Sequence, residues 1–251
     1  MKSNLIANLR NFVVLVGIMM PVAALAHPAL NSFDDAGCLK CHQSVSQYKV
    51  AHPALKMGCS ACHKGTMTDG KTAFALIAKG DDLCFSCHPD KKDLLKKSVM
   101  HPAFKEMGCT SCHNPHGSSV AKLLTEKIPG LCLNCHDNKK IDEKAVTKHM
   151  PFVDGDCLAC HNPHASEQAG LLVKPLKEVC LSCHEKKDFR RHPVPFHPLE
   201  GVPDNLREGK DLSCVSCHNP HQSGFKKLFY TTSNRTQVCI DCHSKGKNAI
   251  H

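Results

Sequence analysis

Eighteen cysteines dominate the chemistry available to this 251-residue chain, and all of them lie in Cys-x-x-Cys pairs. A histidine directly follows each of the nine pairs. The nine motifs are Cys38/Cys41/His42, Cys59/Cys62/His63, Cys84/Cys87/His88, Cys109/Cys112/His113, Cys132/Cys135/His136, Cys157/Cys160/His161, Cys180/Cys183/His184, Cys214/Cys217/His218 and Cys239/Cys242/His243. An exported chain with this many cysteines would ordinarily form disulfides. The strict spacing and the added histidine indicate another chemistry.

Haem attachment explains the whole pattern. In c-type haem the two thiols add to the porphyrin vinyl groups, and the adjacent histidine is the proximal iron ligand. Four-thiolate zinc sites are the alternative, but they have no use for the histidine. With 19 histidines in the chain, nine chance placements have a probability on the order of 10⁻¹⁰. The sequence therefore predicts nine covalent haems c, bound by the 18 cysteines and ligated by the nine motif histidines.

Ten more histidines are candidates for the second axial position of the nine irons. The first group precedes motifs, the second lies in Asn-Pro-His sequences, and the third follows a proximal histidine by eight residues. These groups are His27, His52, His101, His149 and His197; His116, His164 and His221; and His192 and His251. The first two groups give eight ligands, and the ninth is predicted to be His192 or His251, with Met67 as an outside alternative. A surface or propionate-binding role remains the competing interpretation for each candidate. Histidine at both axial positions indicates low reduction potentials.

The N-terminus carries a predicted secretory signal peptide, residues 1–26. Lys2 and Arg10 precede an apolar run, and cleavage is expected after Ala26. The run is shorter than the roughly 20 residues of a spanning helix. The mature chain is thus expected to begin at His27 in the periplasm, without stable membrane insertion.

Side chains alone cannot form a large core in this protein. Tryptophan is absent and aromatic residues are 5% of the chain. The 225 residues after the signal peptide provide 25 residues for each of nine haems, so the haems must pack against one another. The predicted fold is mostly irregular with short α-helices, for example within 91–99, 119–126 and 167–174, and little or no β-sheet. The chain would form an elongated cytochrome wrapped around its packed haems.

The motifs recur in a repeat of about 48 residues. A half repeat, residues 27–51, carries one motif, and four copies carry two motifs each: 52–100, 101–148, 149–196 and 197–251. Three copies contain Cys-x-x-Cys-His-Asn-Pro-His, whereas the copy at His52 continues as His63-Lys64-Gly65. In the last copy 16 residues separate His197 from Cys214, where His101 and His149 are followed by seven. The longer segment is interpreted as a tolerated surface loop, with a partner-docking loop as the alternative.

The opening His-Pro and the Cys-x-x-Cys-His-Asn-Pro-His element resemble the doubled Cys-x-x-Cys-His motif family of multihaem cytochromes. This resemblance covers essentially the whole mature chain. It implies electron transfer, with relatives among periplasmic electron shuttles and the inner cytochromes of porin-cytochrome conduits. The implied partners are other cytochromes and an outer-membrane β-barrel.

The basic charge of the chain does not imply nucleic-acid binding. The formal charge of +9 becomes +7 once Lys2 and Arg10 are removed. Each haem adds two propionates, so nine haems contribute about −9 to −18 depending on oxidation state. The lysines are therefore interpreted as propionate partners and solvated surface.

Three functions fit these residues. The leading prediction is a periplasmic electron carrier with no catalytic residues, passing electrons from inner-membrane donors towards outer-membrane or extracellular acceptors. A multihaem reductase of a small oxyanion or nitrogen compound needs an open iron position, but every motif keeps its histidine. The third alternative is a subunit of a larger cytochrome complex or filament.

Overall fold

The computed structural model describes residues 33–184, 198–199, 201–204 and 206–243. The predicted signal peptide and the histidines at 27, 192, 197 and 251 lie outside these residues.

The helices are short because proline and glycine recur between them. The longest described α-helix has nine residues. Asp34 caps the first one by accepting a hydrogen bond from the Gly37 amide at 2.6 Å. The α-helices are α1 (Asp35–Leu39), α2 (Asp82–Phe85), α3 (Pro89–Asp93), α4 (Gly130–Leu133), α5 (Met150–Val153), α6 (Leu176–Leu181), α7 (Cys214–Cys217) and α8 (Arg235–His243).

Single 3₁₀ turns fill many of the gaps between the α-helices. They span Gln43–Ser46, Pro53–Met57, Cys59–Ala61, Leu94–Lys96, Cys109–Ser111, Ala121–Leu123, Asp137–Lys139, Cys157–Ala159, Ala169–Leu171 and Lys226–Leu228, and Ala103–Met107 is a π-turn. Of the three predicted helical stretches, 91–99 contains the end of α3 and a 3₁₀ turn, and the other two contain a single 3₁₀ turn each.

Eight strands form four antiparallel pairs in the described part of the chain. They are β1 (Val50–Ala51), β2 (His63–Thr68), β3 (Lys71–Leu76), β4 (Val99–Met100), β5 (Gly117–Ser118), β6 (Thr147–Lys148), β7 (Ala165–Ser166) and β8 (Gln222–Ser223). Strands β2 and β3 form a hairpin across Asp69-Gly70, whose φ angles of 51° and 72° suit a tight primed turn. The other pairs, β1 with β5, β4 with β7 and β6 with β8, join different copies of the repeat.

Side chains bury little apolar surface in the described residues. Only Phe104, Ala165 and Phe229 are buried hydrophobic residues there, and no large side chain is fully buried. None of the described helices has the length and apolarity that a membrane crossing requires. Short helices, irregular segments and two-stranded sheets confirm the predicted fold class.

Candidate haem-binding site

Most of the Cys-x-x-Cys-His motifs close as a single tight turn. In seven motifs the histidine amide donates a hydrogen bond to the carbonyl oxygen of the first cysteine, at 2.9–3.1 Å. This closure brings the histidine back beside the first cysteine of the same turn. A local sequence of five residues can therefore present two sulfur atoms and an imidazole together.

The motifs adopt two conformations, which we call leading and trailing by their order within a copy. Leading motifs begin with a 3₁₀ turn in three copies, at Cys59, Cys109 and Cys157. Trailing motifs have their first cysteine in an α-helix, as in α2, α4 and α6. The fourth leading motif differs, because Cys214 is the first residue of α7. In the half repeat, Cys38 follows three helical residues of α1, and we class its motif with the trailing form, in which the first cysteine also lies inside the helix.

A backbone carbonyl orients the proximal histidine of three leading motifs. The Nδ1 atoms of His113, His161 and His218 lie 2.7–2.8 Å from the carbonyl oxygen nine residues later. That oxygen belongs to Lys122, Gly170 or Lys227, each with φ between 59° and 69°. A hydrogen bond of this kind fixes the tautomer of a metal-binding imidazole. The sequence did not lead us to predict this turn. Its position is marked by the apolar pairs that directly follow the three residues, Leu123-Leu124, Leu171-Leu172 and Leu228-Phe229.

The distal candidates come together at the strand pairs between copies. The amides of His52, His101 and His149 donate to the carbonyl oxygens of His116, His164 and His221, respectively, at 2.8–2.9 Å. Each opening histidine is therefore the backbone partner of the Asn-Pro-His histidine of the next copy. The Asn side chain in that sequence accepts a hydrogen bond from the histidine amide at 3.0 Å and fixes the loop.

Two of these distal rings are also held from the side. Phe104 and Phe152 pack edge-on against His164 and His221, with ring centroids 5.3 Å and 5.2 Å apart. Each phenylalanine lies three residues after an opening histidine, so one copy supports a ring from the next.

Six imidazole pairs each join a motif histidine to a distal candidate. Their ring centroids are 5.9–6.3 Å apart. The pairs are His63 with His116, His88 with His52, His113 with His164, His136 with His101, His161 with His221, and His184 with His149.

This separation fits a metal ion between the rings. A metal–imidazole bond of roughly 2.0–2.1 Å, with about 1.1 Å from nitrogen to ring centre, places the centroids of two trans ligands about 6.3 Å apart. Aromatic rings in contact span roughly 4.5–7 Å between centroids, a range that includes these distances. The recurrence of one motif histidine with one distal candidate in all six pairs is what favours a metal ion. The twelve side chains thus suit six irons with two imidazole ligands each.

Burial keeps the distal rings in the form that binds metal. Desolvation lowers the pKa values of His52, His101, His116 and His164, and it lowers that of His221 to about 4. Nearby histidines or lysines add to this effect in each case. The neutral imidazole, with its free nitrogen lone pair, is the ligand form.

The cysteines of neighbouring motifs lie close together. Burial raises the pKa of Cys59 to about 11 and that of Cys109 to about 12, with further contributions from an aspartate and from the first cysteine of the preceding motif. These thiols are therefore protonated at neutral pH. In the described residues, one group of three potential metal ligands has its ligand atoms within 4.8 Å, namely Asp81, Cys84 and Cys109. That group is not the four-thiolate set of a structural zinc site.

A continuous cavity of about 2270 Å³ passes eight of the nine motifs. Its wall includes the apolar residues Leu123, Leu124, Leu171, Leu172 and Phe229. The volume exceeds the roughly 300–1,000 Å³ of an ordinary ligand pocket. The cavity and the motif sulfurs therefore suit several large flat groups in contact, as haem attachment requires.

The first motif departs from the other eight. Cys38, Cys41 and His42 are described residues that do not line this cavity, and Cys41 is exposed. The structure therefore does not place these residues at the wall of the cavity that the other motifs share. Exposure does not set Cys41 apart, because Cys87, Cys135 and Cys183 of trailing motifs are exposed as well. Haem attachment at Cys41 stays a prediction from the motif spacing.

Four predicted ligands, His27, His192, His197 and His251, and the side chain of Cys242 lie outside the described part of the chain. Met67, the outside alternative, lies on β2 with its side chain 52% exposed.

Comparison with known proteins gives the same assignment. The family described as "Doubled CXXCH motif" matches residues 52–93, 101–141, 149–189 and 205–248, and each match contains two motifs. A multiheme cytochrome MtrA of Shewanella baltica (strain OS185) is 32% identical over 87 residues. That match covers 32% of this chain and 25% of the relative, so the chain aligns with only a quarter of that protein.

The matched segments together span more than half of the chain and contain eight of its nine motifs. The chain belongs to the doubled CXXCH motif family and is a multihaem c-type cytochrome that carries haem c covalently.

Proposed function

We propose that the protein is a periplasmic nonahaem cytochrome that conducts electrons along a chain of bis-histidine haems. The six imidazole pairs with centroids 5.9–6.3 Å apart carry this proposal. Haem supplies reversible one-electron chemistry when it is bound. The protein supplies the axial ligands, their orientation and the contact between neighbouring haems.

The pairs follow a rule that extends to the rest of the chain. Each opening histidine pairs with the trailing motif of its own copy, and each Asn-Pro-His histidine pairs with the leading motif of the preceding copy. By this rule His197 is the ligand partner of His243. His27 and His192 then serve the haems of His42 and His218, with His251 as the alternative to His192.

The same rule explains why the copy at His52 lacks Asn-Pro-His. Such a histidine would reach back to a leading motif in the preceding copy. The half repeat has a motif of the trailing form alone, so there is no haem for it to complete. The hairpin of β2 and β3 occupies that place instead.

Haem order along the chain should equal haem order in space. The thiols of Cys38 and Cys59 interact, as do those of Cys84 and Cys109, of Cys132 and Cys157, and of Cys180 and Cys214. In each case the first cysteine of a trailing motif meets the first cysteine of the next leading motif. Haems bound there would meet at their thioether edges, so electrons would pass from motif to motif along the sequence.

The partners follow from this linear arrangement. We propose cytochromes as donor and acceptor at its two ends, inner-membrane donors and outer-membrane or extracellular acceptors, and docking in an outer-membrane β-barrel as one form of assembly. Export by residues 1–26 would place the protein in the periplasm. Nine six-coordinate irons would leave no substrate position, so no catalytic residue is assigned.

A potentiometric titration with parallel electron paramagnetic resonance spectra tests the proposal, after intact-mass measurement of the exported protein. We expect a mass with nine haems, low-spin signals alone, and low potentials. Fewer haems, bound zinc, or a high-spin signal coupled to saturable turnover of nitrite, hydroxylamine or a sulfur oxyanion would contradict it.

A further inference from the structure

The extended segment of the last copy is folded back on itself. We call residues 198–213 the insertion; residues 200 and 205 within it lie outside the described part. The Leu212 amide donates to the Val202 carbonyl at 2.7 Å, and the Asp204 amide donates to the Lys210 carbonyl at 2.8 Å. These bonds close a compact loop, and most of its described residues are exposed, as the interpretation of a surface loop expects.

A buried ion pair lies at the centre of the insertion. The Nε atom of Arg207 donates to the Asp204 carboxylate at 2.6 Å, and the Asp204 side chain is 0% exposed. In the other ion pairs of the described residues the carboxylate side chain is at least 52% exposed. A charge buried in this way requires its partner, because an unpaired buried charge is strongly destabilising.

Arg207 connects this pair to a haem motif. Its Nη2 atom donates to Ser216 Oγ at 2.7 Å and to Ser213 Oγ at 2.9 Å. Ser216 lies between the attachment cysteines Cys214 and Cys217 and is buried. Ser213 and Ser216 also form a capping box at the start of α7.

The first two copies anchor their leading motifs differently. The amide of Cys59 donates to Asp35 at 2.7 Å, and that of Cys109 donates to Asp81 at 2.9 Å. Each aspartate lies three residues before the first cysteine of the preceding trailing motif. The same position before Cys180 is Lys177, whose ammonium group cannot accept a hydrogen bond. The equivalent position before Cys132 is Pro129, which has no side-chain acceptor either. Of these two junctions, the one before Cys214 has the insertion beside it.

The insertion also borders the cavity beside this motif. Val202, Pro203 and Leu212 line the wall together with Cys214 and His218. A haem on His218 would therefore face the insertion.

We propose that the insertion positions and electrostatically tunes one haem, that of Cys214, Cys217 and His218, through the Arg207–Asp204 pair. This inference rests on haem binding as proposed above. Arg207 and Asp204 are positioning residues, because they act on the haem through Ser216 and through their charge. Near a protein surface, a unit charge roughly 10 Å from a redox centre changes its reduction equilibrium by on the order of tenfold.

The test compares the redox titrations of three full-length holoprotein variants. Arg207→Met leaves a buried carboxylate, which favours the ferric haem, so one ninth of the absorbance change should move to lower potential. Asp204→Asn leaves the guanidinium unbalanced, so the same fraction should move to higher potential. A tenfold change in either equilibrium equals 59 mV for one electron. The matched control, Lys210→Met, removes an exposed cation from the same loop. Water and salt screen that charge, so it should shift the titration less than either of the other two variants.

The opposite signs separate tuning from mere structural support, which would move both variants in the same direction. Shifts of equal sign, shifts spread over all nine haems, or no shift in either variant would overturn the proposal. Asp204→Asn is nearly isosteric, so its upward shift remains measurable if Arg207→Met does not accumulate. The wild-type mass tests the proposed function separately, since fewer than nine haems would contradict it. The comparison of variants tests only the role of the insertion.

Discussion

The motif histidines and the distal candidates are positioned in different ways. The motif histidine is tied to the attachment cysteines by the local turn, whereas the distal candidate comes from a strand pair and is partly buried. Burial costs a charged imidazole more than a neutral one, and the lowered pKa of His221 to about 4 shows the size of this effect. The fold thus offers the distal rings as neutral ligands at physiological pH.

Removing one distal ring should open one identified haem. We expect His164→Ala to convert the haem of His113 to a high-spin form that binds carbon monoxide when reduced, because these rings form a pair with centroids 6.1 Å apart. His101→Ala should open the haem of His136 in the same way. Intact mass should still give every haem, since the distal ring takes no part in thioether formation.

The double variant supplies the control for this prediction. Two independent open sites should bind twice the carbon monoxide of either single variant. Unchanged low-spin spectra in both single variants would mean that these histidines are structural and that another group ligates the irons.

The turn behind the proximal histidine stores backbone strain. Lys122 has φ 59° and ψ 21°, where an L side chain is disfavoured, and Gly170 fills the equivalent position with φ 69°. We expect Lys122→Gly to stabilise the protein slightly, because relief of roughly 1–2 kcal/mol of left-handed strain exceeds the about 0.4–1 kcal/mol that glycine's freedom in the unfolded chain costs. Gly170→Ala should destabilise it by more than about 0.4–1 kcal/mol. Nothing lies within 4 Å of a Cβ atom added at Gly170, so its cost is conformational.

Urea unfolding followed by the low-spin haem absorbance measures both effects. The His113 and His161 hydrogen bonds come from backbone carbonyl oxygens, so both substitutions leave the acceptor in place. Equal midpoints for the two variants would show that the left-handed turn carries no strain.

Among the secondary-structure elements, the two-residue strands determine which distal histidines lie side by side. The pairing of β4 with β7 places His101 beside His164, and these two rings face two different motif histidines. Under the proposed function, this strand pair would deliver the distal ligands for both motifs of the copy at His101. Since His164 belongs to the next copy, this copy would not complete both sites alone.

An acidic anchor at the first junction should make it sensitive to pH. The Cys59 amide lowers the pKa of Asp35 below its ordinary value by donating a hydrogen bond to the carboxylate. The unfolded pKa is about 3.9, so this contribution is complete above that pH and is lost as pH falls through the lower folded value. Protection of the Cys59 amide against hydrogen exchange should therefore fall in the wild type below about pH 4.

Asp35→Asn should remove this pH-dependent step, while Asp69→Asn at the exposed hairpin turn should preserve it. Protection factors, corrected for the intrinsic pH dependence of exchange, provide the measurement. A step of equal size in the Asp35→Asn variant would show that another group controls the junction.

The sequence predicts local features of the site well and its long-range features poorly. The nine motifs, the distal groups and the short helices follow from residue spacing. The pairing of His116 with His63 does not, because it depends on a strand contact between copies. The Arg207–Asp204 pair could not be predicted either, because the spacing between His197 and Cys214 gives the length of the insertion but not how it folds. Asp69-Gly70 is a hairpin signal in the sequence that we did not use, because the haem-motif repeat guided the prediction of little or no β-sheet.

At the scale of the whole molecule, the first three two-motif copies form a one-directional series. A motif histidine of each of these copies pairs with an Asn-Pro-His histidine of its successor. By motif order, residues 27–51 with their single motif come first in this series. Such arrays gain their stability from nearest-neighbour contacts.

Truncation at the two ends should therefore have unequal effects. A chain ending at residue 196 keeps seven motifs but loses His221, the partner of His161 at 6.1 Å. We expect seven haems by mass, with the haem of His161 converted to a high-spin form that binds carbon monoxide, although its own motif is intact. Removal of residues 27–51 should instead give eight haems and leave the six described imidazole pairs in place. The full-length His221→Ala variant controls for misfolding and should show the same open haem among nine. If the shortened chain stays fully low-spin, the second ligand of the haem at His161 comes from residues 27–196. The rule that it comes from the next copy would then fail.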